Sequence, residues 1–217
     1  MMSFAIYDYH NDEDIRNVLV TPQIRSRFLR MEPGSVADIH SHDLGHEIFL
    51  ILEGRVIFEI GDGVEKLGPG QMCVALADEV HRVRVIGDEP MIMYLSVTPH
   101  IHPTHTPRTE DGERLPHRFA SPNAYDLDED SNKPIEELID HHVEVAESLA
   151  EAAQACAREQ KEMGAKLKEL HANGDNPAAV EARKAMWEGV YTMYKKVYEF
   201  GEVWNELAPR AAENETE

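Results

Sequence analysis

Residues Gly34 to Gly54 read GSVADIHSHDLGHEIFLILEG, and this stretch decides the fold. It places His40, His42, His46 and Glu47 in one short span between glycines. Alternate residues of an extended strand point to the same face, so His40 and His42 project together. Asp43-Leu44-Gly45 supplies a turn, and a second strand begins after it. On that strand His46 and Glu47 face opposite ways, so only one of them can join the histidine pair. Imidazole and carboxylate are the usual ligands of borderline divalent metals.

The flanking sequence is built of the same element. Ser26 to Met31 alternates, and Glu32-Pro33-Gly34 turns the chain into Val36 to His42, the first ligand strand. Glu47 to Leu52 and Val56 to Ile60 are apolar and β-prone, joined at Glu53-Gly54 as a tight hairpin. Gly61-Asp62-Gly63 turns again, and Gln71 to Leu76 reads as a strand of the buried type. In Val80 to Val85 the alternation is clean: His81, Val83 and Val85 share one face, Arg82 and Arg84 the other. His81 therefore belongs to the inward set. Met91 to Val97 closes the series, and residues 1–17 predict an irregular lead-in or a short edge strand. Strands at this spacing, with turns at every boundary, predict a small antiparallel β-barrel of the jelly-roll kind. Arg27, Arg30, Phe49 and Tyr94 are candidates to line its pocket.

The spacing Gly34-x5-His40-x-His42-x4-Glu47-x6-Gly54 resembles the first motif of the cupins without gap or substitution. Gly68-Pro69-Gly70 ahead of His81 looks like their second motif in a looser form; the asparagine that often follows that histidine is missing, with Val85 nearest. The resemblance spans about residues 26 to 98. It implies a metal held by His40, His42, Glu47 and His81, with His46 outside the ligand set. It does not fix the reaction, because this fold hosts dioxygenases, decarboxylases, isomerases, lyases, storage proteins and sugar-binding modules.

Outside the barrel the character changes. The expected organisation is a cupin-like barrel over residues 1–105, a proline-rich and acidic connecting arm over 106–133, and a long α-helical hairpin with a polar tail over 134–217, α+β overall. The segment PHIHPTH, before the arm, holds His100, His102 and His105. His100 and His102 could align as a second, weak metal site, but a proline-stiffened polar segment is the simpler reading. Asp126 to Asp130 lacks the glycine and terminal glutamate of a calcium loop. Pro134 opens a helix that runs to about Ala172, where Asn173-Gly174 stops it. Asn176 is the expected cap of a second helix ending near Ala208. The first helix carries Ile135, Ile139, His142, Ala146, Leu149, Ala153, Cys156, Gln160, Met163, Leu167 and Leu170 at alternating four and three spacing, a coiled-coil seam. The second has a matching seam from Met186 to Leu207 and an adjoining stripe, Trp187, Tyr191, Tyr194 and Tyr198. A helix roughly 58 Å long with a spare aromatic stripe predicts a homodimer built through the hairpins. A monomer whose hairpin lies along its own barrel is the alternative.

The chain has 217 residues and a formal net charge of -20. Such a surface repels phosphate backbones, which argues against nucleic acid and anionic membranes as partners. Cys73 and Cys156, the two cysteines, fit reduced thiols in a cytoplasmic protein. The N-terminus lacks the basic start and apolar run of a signal peptide, and no stretch is apolar enough to span a membrane. The expected cofactor is one divalent transition metal: Fe, Mn, Ni, Zn or Cu. The expected function is metal-dependent action on a small polar organic molecule, most of all oxidation of the dioxygenase kind. A metal-dependent lyase or isomerase, or a non-enzymatic metal and small-ligand binder, is the alternative.

Overall fold

A computed structural model describes residues 4–127 and 133–211. Residues 128–130 of the acidic run and 212–217 of the polar tail lie outside the described residues. The chain divides into two units, one of residues 1–130 with 208–217, the other of residues 131–207.

The first unit is two five-stranded antiparallel sheets facing each other, the jelly-roll arrangement expected. The strands are β1 (Asn17–Thr21), β2 (Ile24–Met31), β3 (His40–Ser41), β4 (His46–Glu53), β5 (Arg55–Ile60), β6 (Gly63–Leu67), β7 (Met72–Ala75), β8 (His81–Ile86), β9 (Met91–Thr98) and β10 (Thr106–Pro107). One sheet runs β1-β2-β9-β4-β7, the other β10-β3-β8-β5-β6. Period-two patterning sets what each strand buries. In β4, Glu47, Phe49 and Ile51 go inward; in β8, His81, Val83 and Val85 do. Phe49, Ile51, Val56, Phe58, Val83, Val85, Met91, Met93 and Leu95 form the core, each worth roughly 1.5–3 kcal/mol if fully buried. The polar members of the same inward rows, Glu47 and His81, lie at the starts of their strands, so the core floors one end and leaves chemistry at the other. Two glycines fix the opposite ends of β4. Gly54, at φ +73°, makes the β4–β5 turn against Pro90, and a Cβ on Gly45 would sit 2.0 Å from the Thr98 carbonyl oxygen.

Several expectations are corrected here. The first ligand strand is regular only at His40–Ser41, although Ala37 N–H and Val85 N–H exchange bonds with Val83 and Ser35 carbonyls across it. The strand at Met72–Ala75 is not buried: it is a sheet edge, Met72 is 61% exposed, and only Ala75 is covered. The expected turn at Gly61-Asp62-Gly63 leads into a further strand that the alternation did not announce, Gly63–Leu67, paired with β5. The arm from residue 106 is not a free connector. Thr106 and Pro107 add a strand beside Ser41 and His40, because β3 is an open edge and proline is tolerated there.

The second unit is the helical hairpin, α1 (Ile135–Ala172) and α2 (Asn176–Leu207). Its seam is as spaced, with one slip: Leu138 is fully buried and Ile139 is 45% exposed. Leu138, His142, Val145 and Leu149 satisfy the same four-three rhythm one residue earlier. The seam's small middle lets the helices close in, since a Cβ on Gly189 would lie 3.6 Å from the Cys156 Cα. Gln160 donates to the Met186 carbonyl (2.7 Å), and the His142 ring packs on Phe200 and Trp204. The cap of α2 is Asp175, whose carboxylate accepts from Ala178 N–H, in place of the expected Asn176.

Candidate metal centre

Strand pairing brings four donors to one end of the barrel. His40 lies directly opposite His81 in the β3–β8 register, His42 follows on the same face, and Glu47 enters from the other sheet at the start of β4. Donor atoms of His40, His42, Glu47 and His81 all lie within 4.8 Å of one another and could hold a metal ion. Glu47 Oε2 is 2.8 Å from His42 Nε2, 3.1 Å from His81 Nε2 and 4.0 Å from His40 Nε2. For bonds near 2.1 Å, neighbouring corners of an octahedron lie about 3.0 Å apart and opposite corners about 4.2 Å. His42, Glu47 and His81 are each 2% exposed, whereas the His40 side chain keeps 18%.

The hydrogen bonds around the rings decide what fits between them. Nδ1 of His40, His42 and His81 lies 2.8, 2.7 and 2.8 Å from the carbonyl oxygens of Asp38, Thr104 and Glu79. A carbonyl only accepts, so each Nδ1 carries the proton, and each neutral ring turns an Nε2 lone pair inward. For His42 and His81 that lone pair faces a carboxylate oxygen at hydrogen-bond distance. Two acceptors in that position need a cation or a proton between them. A divalent metal satisfies all four donors at once, and the fixed tautomers are the backing that metal-bound histidines ordinarily have.

Electrostatics agree. Burial alone would raise the Glu47 carboxyl, but the imidazoles of His42 and His81 packed against it hold it well below the usual range. Burial, then the His81 charge, lowers His40 to about 4 against the opposing pull of Glu47. The guanidinium of Arg25, itself buried, lies 3.9 Å from the other Glu47 oxygen, Oε1. Burial and the Glu47 charge push the Cys73 thiol up to about 12, so it is an unreactive wall.

The other histidines near the motifs, His46, His100, His102 and His105, separate into three places. His46 points outward and accepts from Ala77 N–H at 2.9 Å, away from the four donors. His100 and His102 pack against Tyr125, whose ring also lies under Arg25 (5.4 Å). His105 is the surprise: its ring is 4.8 Å from His40 and 4.9 Å from His42. The segment Thr104–Arg108 is thus part of the centre's surroundings. Arg108 clamps it, donating to Ser41 Oγ (2.7 Å) and Asp43 Oδ1 (3.0 Å) on the turn that carries the ligands. A pocket of about 410 Å³ opens beside His40 and His105, with Ile39, Phe119 and Tyr125 on its walls and Asp38 and Arg118 also lining it. Of the pocket candidates, Phe49 packs on the His81 ring, but Tyr94 bonds to Ser26 on the outer face and Arg30 pairs with Glu32 and Asp12. Arg25 went unnoticed in the sequence, although it shares strand parity with Arg27, Leu29 and Met31.

The model of the cupin domain family matches residues 27–98. Residues 27–98 are a cupin domain. Among solved structures, an uncharacterized conserved protein with a double-stranded beta-helix domain from Klebsiella pneumoniae subsp. pneumoniae MGH 78578 is 25% identical, with a TM-score of 0.41, covering 45% of this chain and 91% of that one. TT1209 from Thermus thermophilus is 23% identical, with a TM-score of 0.38, covering 42% and 90%. KdgF from Halomonas sp. is 20% identical, with a TM-score of 0.37, covering 39% and 78%. No curated protein matches the chain. The family match ends before the segment that carries His100 to Arg108 and before the hairpin. Among the described residues no helix is long and apolar enough to cross a membrane.

Proposed function

We propose that this cupin is a metal-dependent oxidoreductase of the dioxygenase kind that acts in the cytoplasm on a small polar organic molecule. The observation that carries the reading is the convergence of three backbone-fixed Nε2 lone pairs on one buried carboxylate oxygen. His40, His42, Glu47 and His81 would hold one divalent ion of Fe, Mn, Ni, Zn or Cu. When bound, such an ion supplies Lewis acidity and, for the redox-active members, the electron transfer that oxygen chemistry needs. With only four protein donors, a bound ion would have room left for a substrate oxygen. His40, the one partly exposed ligand, faces the pocket through which a substrate enters. Phe49 and the apolar core beneath keep water from the buried side of His81.

Metal analysis of protein expressed without supplementation, followed by an oxygen-uptake screen over small acids, thiols and diketones, tests this reading. Uptake that depends on both metal and substrate is expected. Tight stoichiometric binding of a small ligand without turnover would instead make the protein a binding module, and turnover without oxygen a lyase or isomerase.

The hairpin carries a further part of the proposal, pairing with a second copy of the chain. Trp187, Tyr191, Tyr194 and Tyr198 stand 38–59% exposed along one stripe of α2, a large apolar face for a helix to leave in water. Light scattering at micromolar concentration should give twice the chain mass; the mass of one chain would remove the dimer.

A further inference from the structure

His105 sits between the ligand rings and the pocket, and it is not one of the four converging donors. Among the described residues its ring nitrogens make no hydrogen bond. Its backbone is nevertheless held on both sides. The preceding Thr104 carbonyl accepts from His42 Nδ1–H, and the following residues pair in register with Ser41 and His40. Three residues on, Arg108 binds Ser41 and Asp43 through a guanidinium whose side chain is 9% exposed. A side chain on a mobile loop could turn to solvent, but this one is fixed against the rings of His40 and His42. It therefore presents a hydrogen-bonding nitrogen to whatever reaches the metal through the pocket.

The pocket suggests what that is. Arg118 lines it and makes no ion pair among the described residues. The guanidinium of Arg25 lies behind Glu47. Asp38, on the same wall, is the opposing charge. In formal charge Arg25 offsets Glu47 and Arg118 offsets Asp38, so a bound dication together with the His105 donor would make the open side favour an anion.

We propose that His105 is a substrate-positioning residue, donating a ring N–H to an oxygen of a small carboxylate or similar anion bound at the open side of the metal centre. This rests on the metal reading of the four ligands. It goes beyond that reading by giving a role to a residue of the segment outside the family match and by naming an anionic ligand class.

The test uses the full chain loaded with Co(II), as wild type, His105→Phe and His105→Gln. Phenylalanine keeps a ring and removes the donor; glutamine keeps an N–H of similar reach. Co(II) affinity is read by chelator competition, and azide and acetate binding by the visible Co(II) bands. All three proteins should hold Co(II) with equal affinity within about threefold, because His105 is not a ligand. His105→Phe should weaken both anions by about tenfold or more, the usual size of one hydrogen bond to a charged group. His105→Gln should recover most of that loss. Wild-type anion affinity in His105→Phe overturns the proposal, since the ring is then a bystander. A tenfold loss of Co(II) in both variants also overturns it, because His105 would then be a ligand. Wild-type protein that takes up no Co(II) overturns the metal reading itself, and the two failures are told apart by that first titration.

Discussion

Two histidine pairs with the same spacing, His40-x-His42 and His100-x-His102, lie in the same unit and meet opposite counter-charges. Around the first pair stand Glu47 and His81, with every Nδ1 tied to a carbonyl. Around the second stand Tyr125 and Arg25, with Thr104 Oγ1 2.5 Å from His100 Nδ1. Burial, then Arg25, lowers His100 to about 3 and His102 to about 4. His40 in the first pair and both rings of the second are thus held toward the neutral form that a metal requires. Glu47 stands among the first pair's rings and can offset a dication, whereas the guanidinium of Arg25 lowers both rings of the second and repels one. Histidine spacing is therefore not enough to make a metal site; the charge packed behind the rings decides it.

The largest expected effect breaks the comparison directly. His40→Ala with His42→Ala should lower metal affinity at least a hundredfold, since two of four ligands are lost. His100→Ala with His102→Ala should leave it within about threefold. Chelator competition on both double variants reads the contrast, and equal losses would show that the pairs act as one site.

Arg108→Ala asks how far the clamp matters. It takes the guanidinium away from Ser41 and Asp43 and loosens the segment whose Thr104 carbonyl orients His42. A loss of about tenfold in metal affinity is expected, the usual cost of removing an outer partner of a ligand. An unchanged affinity would mean that the ligand turn holds itself.

Acid should destabilise the metal-free protein through both pairs together. His40, His100 and His102 have folded pKa values of about 4, 3 and 4, below the unfolded value near 6.5. Below pH 6.5 the unfolded chain binds protons that the folded chain refuses. The stability these residues contribute is thus complete above about pH 6.5 and is lost as pH falls toward 4. Glu47, held low, adds a further loss below its unfolded value of 4.5. Urea unfolding of metal-free protein at steps from pH 7.5 to 4.5 should show a falling midpoint, and a flat profile would contradict the assignment.

The smallest effect sharpens the role of Arg25. In Arg25→Met the NMR titration midpoints of His100 and His102 should rise, because one lowering charge is gone. They should remain below about 6.5, because burial is the larger cause. Midpoints that do not move would take Arg25 out of the account.

How much of this was readable from the sequence follows from distance along the chain. His40, His42 and His81 were legible because strand parity has period two, and parity needs only neighbours. Glu47 against His46 needed the cupin spacing as well. The exposure of Met72 was not legible, because it depends on β7 being the last strand of its sheet. Nor was the position of His105, which is set by Thr104 meeting His42 and Arg108 meeting Asp43, contacts 62 and 65 residues apart. The hairpin was legible as a rhythm but not in phase: Leu138 and Ile139 fit the same repeat, and packing chose the first. Asp175 and Asn176 are both good caps, and the backbone turn after Gly174 selected Asp175.

X-ray absorption at the metal edge of the loaded, full-length protein tests the central claim most directly. If His40, His42, Glu47 and His81 hold the ion, the spectrum should fit about six light donors with about three imidazoles among them. A fit to about four imidazoles would bring His105 or a second pair into the site, and a sulfur or a four-coordinate shell without a carboxylate oxygen would contradict the site described here.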